Sequence, residues 1–455
     1  MEHSNNERYL ESQAARESNA RSYPRRIPIA IKEAEGVHVK DMDGKVYIDC
    51  LAGAGTLALG HNHPVVVEAM KKLLDSKHPL HTLDLTTPLK EQFVDELFAS
   101  LPQEFAKDAR IQFCGPTGAD AIEAAIKLVK TATGRRSILS FQGGYHGCSH
   151  AAMSVSGTLG QKEKINGLVP DVHFLPYPYS YRCPFGVGGE ETHRISSRFI
   201  ENALRDPESG IVSPCGMILE VVQGEGGSIP APIEWLREMR RITQERDIPL
   251  IIDEVQTGLG RTGKLFAFEH AGIVPDVLVL SKAIGGSLPL SVMIYHKKYD
   301  VWKPGAHIGT FRGNQLAMAA GLATLTYIKE HDIPANVQQL GNRLTNHLLE
   351  LKEKNEFIGD VRGRGLMIGV EVVNAQEQAD ILGVYPAYPQ LASRIQQECL
   401  KRGLILEVGG RHSAVMRFLP PLIVTEALVD QIAHIFSESV HAACAGLHAA
   451  KELVL

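Results

Sequence analysis

The stretch "PLIIDEVQTGLGRTG" (residues 249–263), followed by "DVLVLSKAIGGSLPL" (276–290), decides the fold. Each half opens on a continuous apolar run, Leu250–Ile252 in the first and Val277–Leu280 in the second. Short runs of this kind, closed by turn residues, read as strands buried on both faces of a parallel sheet. A charged group ends each run: Asp253 in one, Lys282 in the other. In open α/β sheets the crevice at the carboxyl ends of the strands receives the ligand. Working outward, candidate helices at 65–76, 118–132 and 233–246 alternate with candidate strands at 109–114, 137–141, 216–222, 249–255 and 276–281. That alternation predicts an α/β domain with a mostly parallel sheet. Upstream, "DMDGKVYID" (41–49) reads as a hairpin turning at Asp43-Gly44, and residues 1–25 read as a polar helix or arm. Beyond residue 330 come a helix, "GLMIGVEVV" (365–373), a second helix, "GLILEV" (403–408), "VMRFLP" (415–420) and a last helix from Thr425-Glu426. We expect an N-terminal segment 1–64 joined to a small α+β domain 331–455, around a large domain 65–330.

Composition narrows the function classes. A chain of 455 residues with 44% hydrophobic and 22% charged residues is an ordinary globular composition. A net charge of -5 gives no reason to expect nucleic acid or an anionic membrane surface. No apolar run approaches the ~20 residues of a membrane span. The polar start, "MEHSNNERYLESQ", lacks an apolar signal core, so a cytoplasmic location is expected. The seven cysteines form no CxxC pair, as expected of reduced thiols rather than a zinc site.

Each candidate residue has a structural reading beside its chemical one. Lys282 either snorkels to solvent or, desolvated, serves as a Schiff-base nucleophile. Asp253 either caps the next turn or pairs with a cation such as a protonated pyridine nitrogen, which a pyridoxal cofactor requires. Thr117-Gly118-Ala119 opens "GADAIEAAIKLVK" as an ordinary N-cap or as a phosphate site. Tyr145 and His146, after Gly143-Gly144, follow a strand, where a flat aromatic could stack on a planar ring. Glu220 and Glu225 lie in a loop, and Arg417 sits in an apolar strand that demands a carboxylate from the protein or from a substrate. Gly258-Leu259-Gly260-Arg261-Thr262-Gly263 matches GxGxxG, yet no long helix opens at the turn, which speaks against a dinucleotide fold. The His61/His63 and His146/His150 pairs lack a metal-binding pattern, and no metal is expected.

Together these pieces resemble the class III (ω-amino acid) aminotransferases, pyridoxal 5'-phosphate enzymes of fold type I, from about residue 20 to 440. "LIIDEVQTGLGRTG" and the Ser281-Lys282 that follows it carry the resemblance. It implies a large domain on a mostly parallel seven-stranded sheet and a smaller α+β domain drawn from both termini. It implies that Lys282 bonds the cofactor as a Schiff base, with Gly285 and Gly286 leaving space for the ring. Asp253 would pair with the ring nitrogen, and Gly118 and Ala119 would bind the phosphate through backbone N–H groups. Tyr145 and Val255 would cover the two ring faces, and Gln256 the 3-hydroxyl side, with His146 and Glu220 also at the cofactor. Thr310 would reach the phosphate of a neighbouring subunit, so a homodimer or higher homo-oligomer is implied. Glu225 and Arg417 resemble the family's switch pair, in which the acid neutralises the arginine until a 2-oxoglutarate carboxylate replaces it. The loops "ESNARSYPRRIPIAI", "CLAGAGTLALGHNHP", "PYPYSYRCPFG" and "GTFRGNQLAMAAG" are most similar to the branch that moves the 4-amino group of L-2,4-diaminobutyrate to 2-oxoglutarate. Enzymes acting on ornithine, 4-aminobutyrate or lysine, or an aminomutase, remain alternatives. Outside that family stand a nicotinamide dehydrogenase and a catalytically silent protein of the same fold.

Overall fold

Seven strands form the central sheet of the computed structural model, which describes residues 4–452. Their spatial order is Ala109–Phe113, Val292–His296, Val277–Leu280, Leu250–Asp253, Pro214–Leu219, Ser137–Phe141 and Val172–Leu175. All neighbours run parallel except Val292–His296, which pairs antiparallel with both of its own. The runs Leu250–Asp253 and Val277–Leu280 are buried throughout, as strands covered by helices on both faces must be. Helix Gly118–Thr133 lies on one face, its apolar stripe of Ala121, Ile122, Ala125, Ile126 and Val129 fully covered. Helix Ile233–Glu245 is amphipathic and buries Trp235, Leu236, Met239 and Ile242.

A second region draws on both ends of the chain. Strands Ile31–Glu35, His38–Asp41 and Val46–Asp49 make an antiparallel meander, and Leu404–Ile405 adds to it in parallel. A separate antiparallel sheet orders Ile358–Arg364, Met367–Val372, Val415–Phe418 and Glu407–Gly409. The segment "GLILEV" is therefore two strands in two sheets, not the single strand that its apolar run predicts. The sequence reading assigns no strand to "IGDVRGR" (358–364), whose charged and glycine positions hide the pairing. Residues 1–25 contain helix Asn5–Arg16 and the start of the short turn Tyr23–Arg26; residues 1–3 lie outside the described part.

The GxGxxG stretch has a structural role. Leu259, Gly260 and Gly263 take positive φ values of 58°, 91° and 91°, and only a short 3-10 turn, Ala267–Ala271, follows. Arg261 is buried and donates to the Leu366 and Pro420 carbonyls at 3.1 and 2.5 Å. The turn thus latches the central sheet to the C-terminal region. It opens no helix for a pyrophosphate. Among the described residues no helix is long and apolar enough to cross a membrane.

Candidate active site

The carboxyl ends of the central strands and the start of helix Gly118–Thr133 converge on a cavity of ≈ 240 Å³. Gly118, Ala119, Tyr145, His146, Glu220, Glu225, Asp253, Val255, Gln256 and Lys282 all line it.

Lys282 begins the 3-10 turn Lys282–Gly285 and holds a left-handed φ of 51°. For a non-glycine residue that geometry stores ~1–3 kcal/mol, a strain typical of functional sites. It turns the side chain off the strand end and into the cavity. Burial, with Arg417 adding and Glu225 opposing, holds the Lys282 ammonium below the usual lysine range. The sequence reading expects the two glycines beside it to leave room for a ring, yet neither lines the cavity and each meets a packing neighbour instead. Gly286 has φ 55°, and a Cβ there would collide with the Ala320 carbonyl of helix Gln315–Glu330. The loop is thin because that helix packs against it.

Asp253 closes its strand with both oxygens engaged. Oδ1 accepts from the Val255 N–H at 3.0 Å, and Oδ2 accepts from His146 Nδ1 at 2.7 Å. Burial works against charge on His146, but Asp253 at hydrogen-bond distance raises its pKa above the ordinary value. The histidine is further fixed by its own N–H, which donates to Ser156 Oγ at 2.9 Å. Sequence reading names both residues but cannot pair them, because 107 positions separate them.

Glu220 is a brace. Its two oxygens accept the Tyr145 and Gly224 N–H groups, each at 2.9 Å, which ties the "GGYHG" loop to the "QGEGG" loop. Burial, with Asp253 adding, pushes its carboxyl up to about 7. Tyr145 is half-buried, and its hydroxyl lies 3.3 Å from Cys148 Sγ.

The start of helix Gly118–Thr133 is capped by Thr117, whose Oγ1 accepts the Asp120 N–H at 3.3 Å. The amides of Gly118 and Ala119 have no carbonyl one turn back to receive them, so they are free to meet an anion. A Cβ on Gly118 would stand 2.9 Å from both methyls of Val255. Only glycine lets the helix start and Val255 share the cavity wall. An amine nucleophile, a buried carboxylate fixed at one edge, an aromatic side chain and Val255 on the same cavity, and a helix start with free N–H groups fit a flat, phosphorylated pyridine aldehyde.

Arg417 is fully buried and lies just behind the cavity. Nη1 donates to Glu225 at 2.8 Å and to Glu407 at 2.9 Å, and Nη2 donates to Gln256 Oε1 at 2.8 Å. Gln256 Nε2 continues the chain to the Ala54 carbonyl at 3.0 Å. Burial opposes charge on Glu225, but Arg417 holds its carboxyl below the usual carboxylate range. Burial likewise disfavours a charged Arg417, yet its two carboxylates keep it firmly protonated. Glu407 is absent from the sequence reading; its partner is visible only once the strands are paired.

Thr310 does not reach this cavity within the chain. It is exposed, beside Ile308 and Phe311 at 73% and 66% exposure.

Comparison with known proteins accords with this geometry. A family model described as "Aminotransferase class-III" matches residues 19–440. A diaminobutyrate–2-oxoglutarate aminotransferase of Rhizobium meliloti (strain 1021) is 57% identical over 93% of this chain and 90% of its own. One of the same name from Haemophilus influenzae is 50% identical over 96% and 95%. Among solved structures, an amine transaminase from an uncultivated Pseudomonas species, bound to pyridoxal phosphate, superposes with a TM-score of 0.82 at 28% identity, covering 94% of this chain and 97% of that one. With the family model spanning nearly the whole chain over a fold type I framework, the protein belongs to the class III aminotransferases and uses pyridoxal 5'-phosphate as its cofactor.

Proposed function

We propose that the protein is an ω-aminotransferase that moves the 4-amino group of L-2,4-diaminobutyrate to 2-oxoglutarate, forming L-aspartate 4-semialdehyde and L-glutamate. The observation that carries the reading is Arg417, fully buried and paired at 2.8 Å with Glu225, an acid on a glycine-flanked loop. An enzyme that alternates an amine donor with a keto-acid acceptor needs a guanidinium whose charge is paired within the protein in one half-reaction and free to grip a carboxylate in the other. Glu225 can step aside because it is half-exposed and sits between Gly224 and Gly226. The names of the relatives at 57% and 50% identity support the choice of donor and acceptor.

When bound, the cofactor supplies an electron-poor ring that takes up the electron pair left as a proton departs the substrate carbon. The protein supplies the rest. Lys282 Nζ, less readily charged than an exposed lysine, would anchor the cofactor and then accept and return that proton. Asp253, oriented by His146, would serve the ring nitrogen. The Gly118 and Ala119 amides would hold the phosphate, Tyr145 and Val255 would shield the ring faces from water, and Gln256 would serve the hydroxyl side. Arg417 orients the acceptor's α-carboxylate.

A homodimer completes the site in this reading. His81 and Phe311 pack edge to face at 5.7 Å, and Arg312 pairs with Asp84 at 3.3 Å. These contacts join two segments into one patch that also exposes Leu80, Leu83, Leu85 and Ile308. A surface this apolar calls for a partner, and a second copy would bring Thr310 to the other subunit's phosphate. Phe311→Asp should therefore lower both the sedimentation mass and the activity.

The test of function is a donor panel. Diaminobutyrate, ornithine, 4-aminobutyrate and lysine are each offered with 2-oxoglutarate, and glutamate is measured. Diaminobutyrate should give the highest kcat/KM. A clear preference for another donor, or turnover without any keto acid, would refute the assignment.

A further inference from the structure

Glu407 is the acid at this site that the switch leaves unused. It lies directly across from Arg417 in the antiparallel pairing of Glu407–Gly409 with Val415–Phe418. Its side chain is 7% exposed, against 31% for Glu225. Glu407 is thus fixed on a strand, and Glu225 is mounted on a glycine-flanked loop.

Both acids share Nη1 of Arg417. One cation does not neutralise two buried anions, and a carboxylate left without a positive partner in such a place is costly. Arg26 adds positive charge nearby, but its Nη1 donates to the neutral Val408 carbonyl at 2.9 Å and to neither acid, and Lys282 would bond the cofactor. Burial pushes the Glu407 carboxyl up, with Glu225 adding and Arg417 opposing. Oε2 faces Arg417. Oε1 meets the Tyr23 hydroxyl at 3.4 Å, a long contact that leaves acceptor capacity free. Tyr23 is 47% exposed and lies close enough to Glu225 and Arg417 to feel their charges, so Oε1 stands beside an exposed residue at the margin of the site.

We propose that Glu407, flanked by Tyr23, is a specificity-determining residue that binds the second, non-reacting ammonium of a diamino acid while the terminal amine meets Lys282. This rests on the diaminobutyrate reading above. The substrate's own ammonium gives Oε1 a direct positive partner, so a donor with an α-ammonium is favoured over an ω-amino acid without one. The acceptor brings no ammonium and gains nothing from Glu407. A plain counter-ion to Arg417 would behave in the opposite way and weigh on the acceptor.

The experiment compares half-reactions of holoenzyme with Glu407→Gln, which keeps the size of the side chain and an oxygen for Arg417. Diaminobutyrate, 4-aminobutyrate and glutamate serve as donors. Loss of one charge-assisted contact should lower the ratio of kcat/KM for diaminobutyrate to that for glutamate on the order of 10- to 100-fold, mainly through KM. The ratio of diaminobutyrate to 4-aminobutyrate should fall alike. Tyr23→Phe, a near-isosteric change at a residue 47% exposed, should shift both ratios in the same direction by about two- to fivefold, the scale of a weak neutral hydrogen bond. Equal losses for all donors, or a loss confined to glutamate, would overturn the proposal and leave the diaminobutyrate reading standing. A wild-type enzyme that takes 4-aminobutyrate but no diamino acid would overturn both.

Discussion

Gly118→Ala tests how the cofactor pocket is built. The added Cβ would lie 2.9 Å from Cγ1 and from Cγ2 of Val255. Carbon atoms rest at ~3.5–4.0 Å, so Val255 must retreat by roughly 0.5–1 Å. Val255 lines the cavity, so its retreat reshapes the cavity wall. Overpacking of this kind costs ~1–3 kcal/mol. Gly118 does not hold a left-handed φ, so alanine adds no backbone strain, and within a helix alanine is favoured over glycine by ~1 kcal/mol. The cost should therefore fall on cofactor binding and spare the fold. Apoprotein titrated with pyridoxal phosphate should show a Kd raised about 5- to 150-fold, the same energy expressed as affinity. The melting temperature of the apoprotein should stay level or rise slightly. Val255→Ala removes both opposing methyls, so the double variant should recover most of the loss, with a coupling energy near that of the single clash. Wild-type affinity in Gly118→Ala would refute the reasoning. So would a loss that Val255→Ala cannot rescue, or one that appears in the apoprotein melting temperature instead.

Three other outcomes follow from the same geometry. Lys282→Ala should cut turnover at least about 100-fold, the contribution of a positioned proton-transfer group, and borohydride should no longer tag the peptide containing residue 282. Arg417→Lys keeps the charge but loses the planar fork, so the KM for 2-oxoglutarate should rise about tenfold or more while the amine half-reaction changes less. Glu371 is buried against Arg362 at 2.8 Å and Arg182 at 2.5 Å, and accepts the Tyr179 hydroxyl. Burial opposes its charge, but Arg362 and Arg182 hold its carboxyl below the ordinary range. A depressed carboxyl adds stability above its unfolded pKa of about 4.3 and loses it as the pH falls through the native value. The melting-temperature gap between wild type and Glu371→Gln should be widest near neutral pH and close as the pH drops below about 4.

Five of the seven central strands were legible, and Val172–Leu175 and Val292–His296 were not. Leu250–Asp253 and Val277–Leu280 are buried throughout, so each reads as an apolar run with a charged residue at or just past its end, and Ser137–Phe141 tolerates its two serines only as small buried side chains. The strand ends place Asp253 and Lys282 at one sheet edge from the sequence alone. Two things hid the rest. A glycine's purpose depends on what approaches it, and Gly286 serves a helix that starts at residue 315, far along the chain. A buried polar contact depends on pairing across long separations, as between His146 and Asp253.

Glu407 shows the second obstacle most sharply. In "GLILEVGG" the apolar pattern runs on through Leu406, so one strand is the natural reading. The chain instead changes sheets there. Leu404 pairs with Ile48 and Ile405 with Asp49, whereas Glu407 pairs with Arg417 and Val408 with Met416. A strand's side chains alternate between faces, so a shift of one residue at Leu406 would turn Glu407 to the opposite face of its sheet, away from Arg417. The Arg417 guanidinium would then keep Glu225 as its sole carboxylate, and nothing would hold a second charge at the entrance. Selection between a donor with two ammonium groups and a donor with one thus depends on a break between two short strands. No property of residue 407 taken by itself reveals that break. An inserted residue between Leu406 and Glu407 should therefore erode the preference for the diamino acid before it erodes cofactor binding, because Asp253 stands on the central sheet, Lys282 on the turn after one of its strands and Gly118 at the start of a helix packed on it.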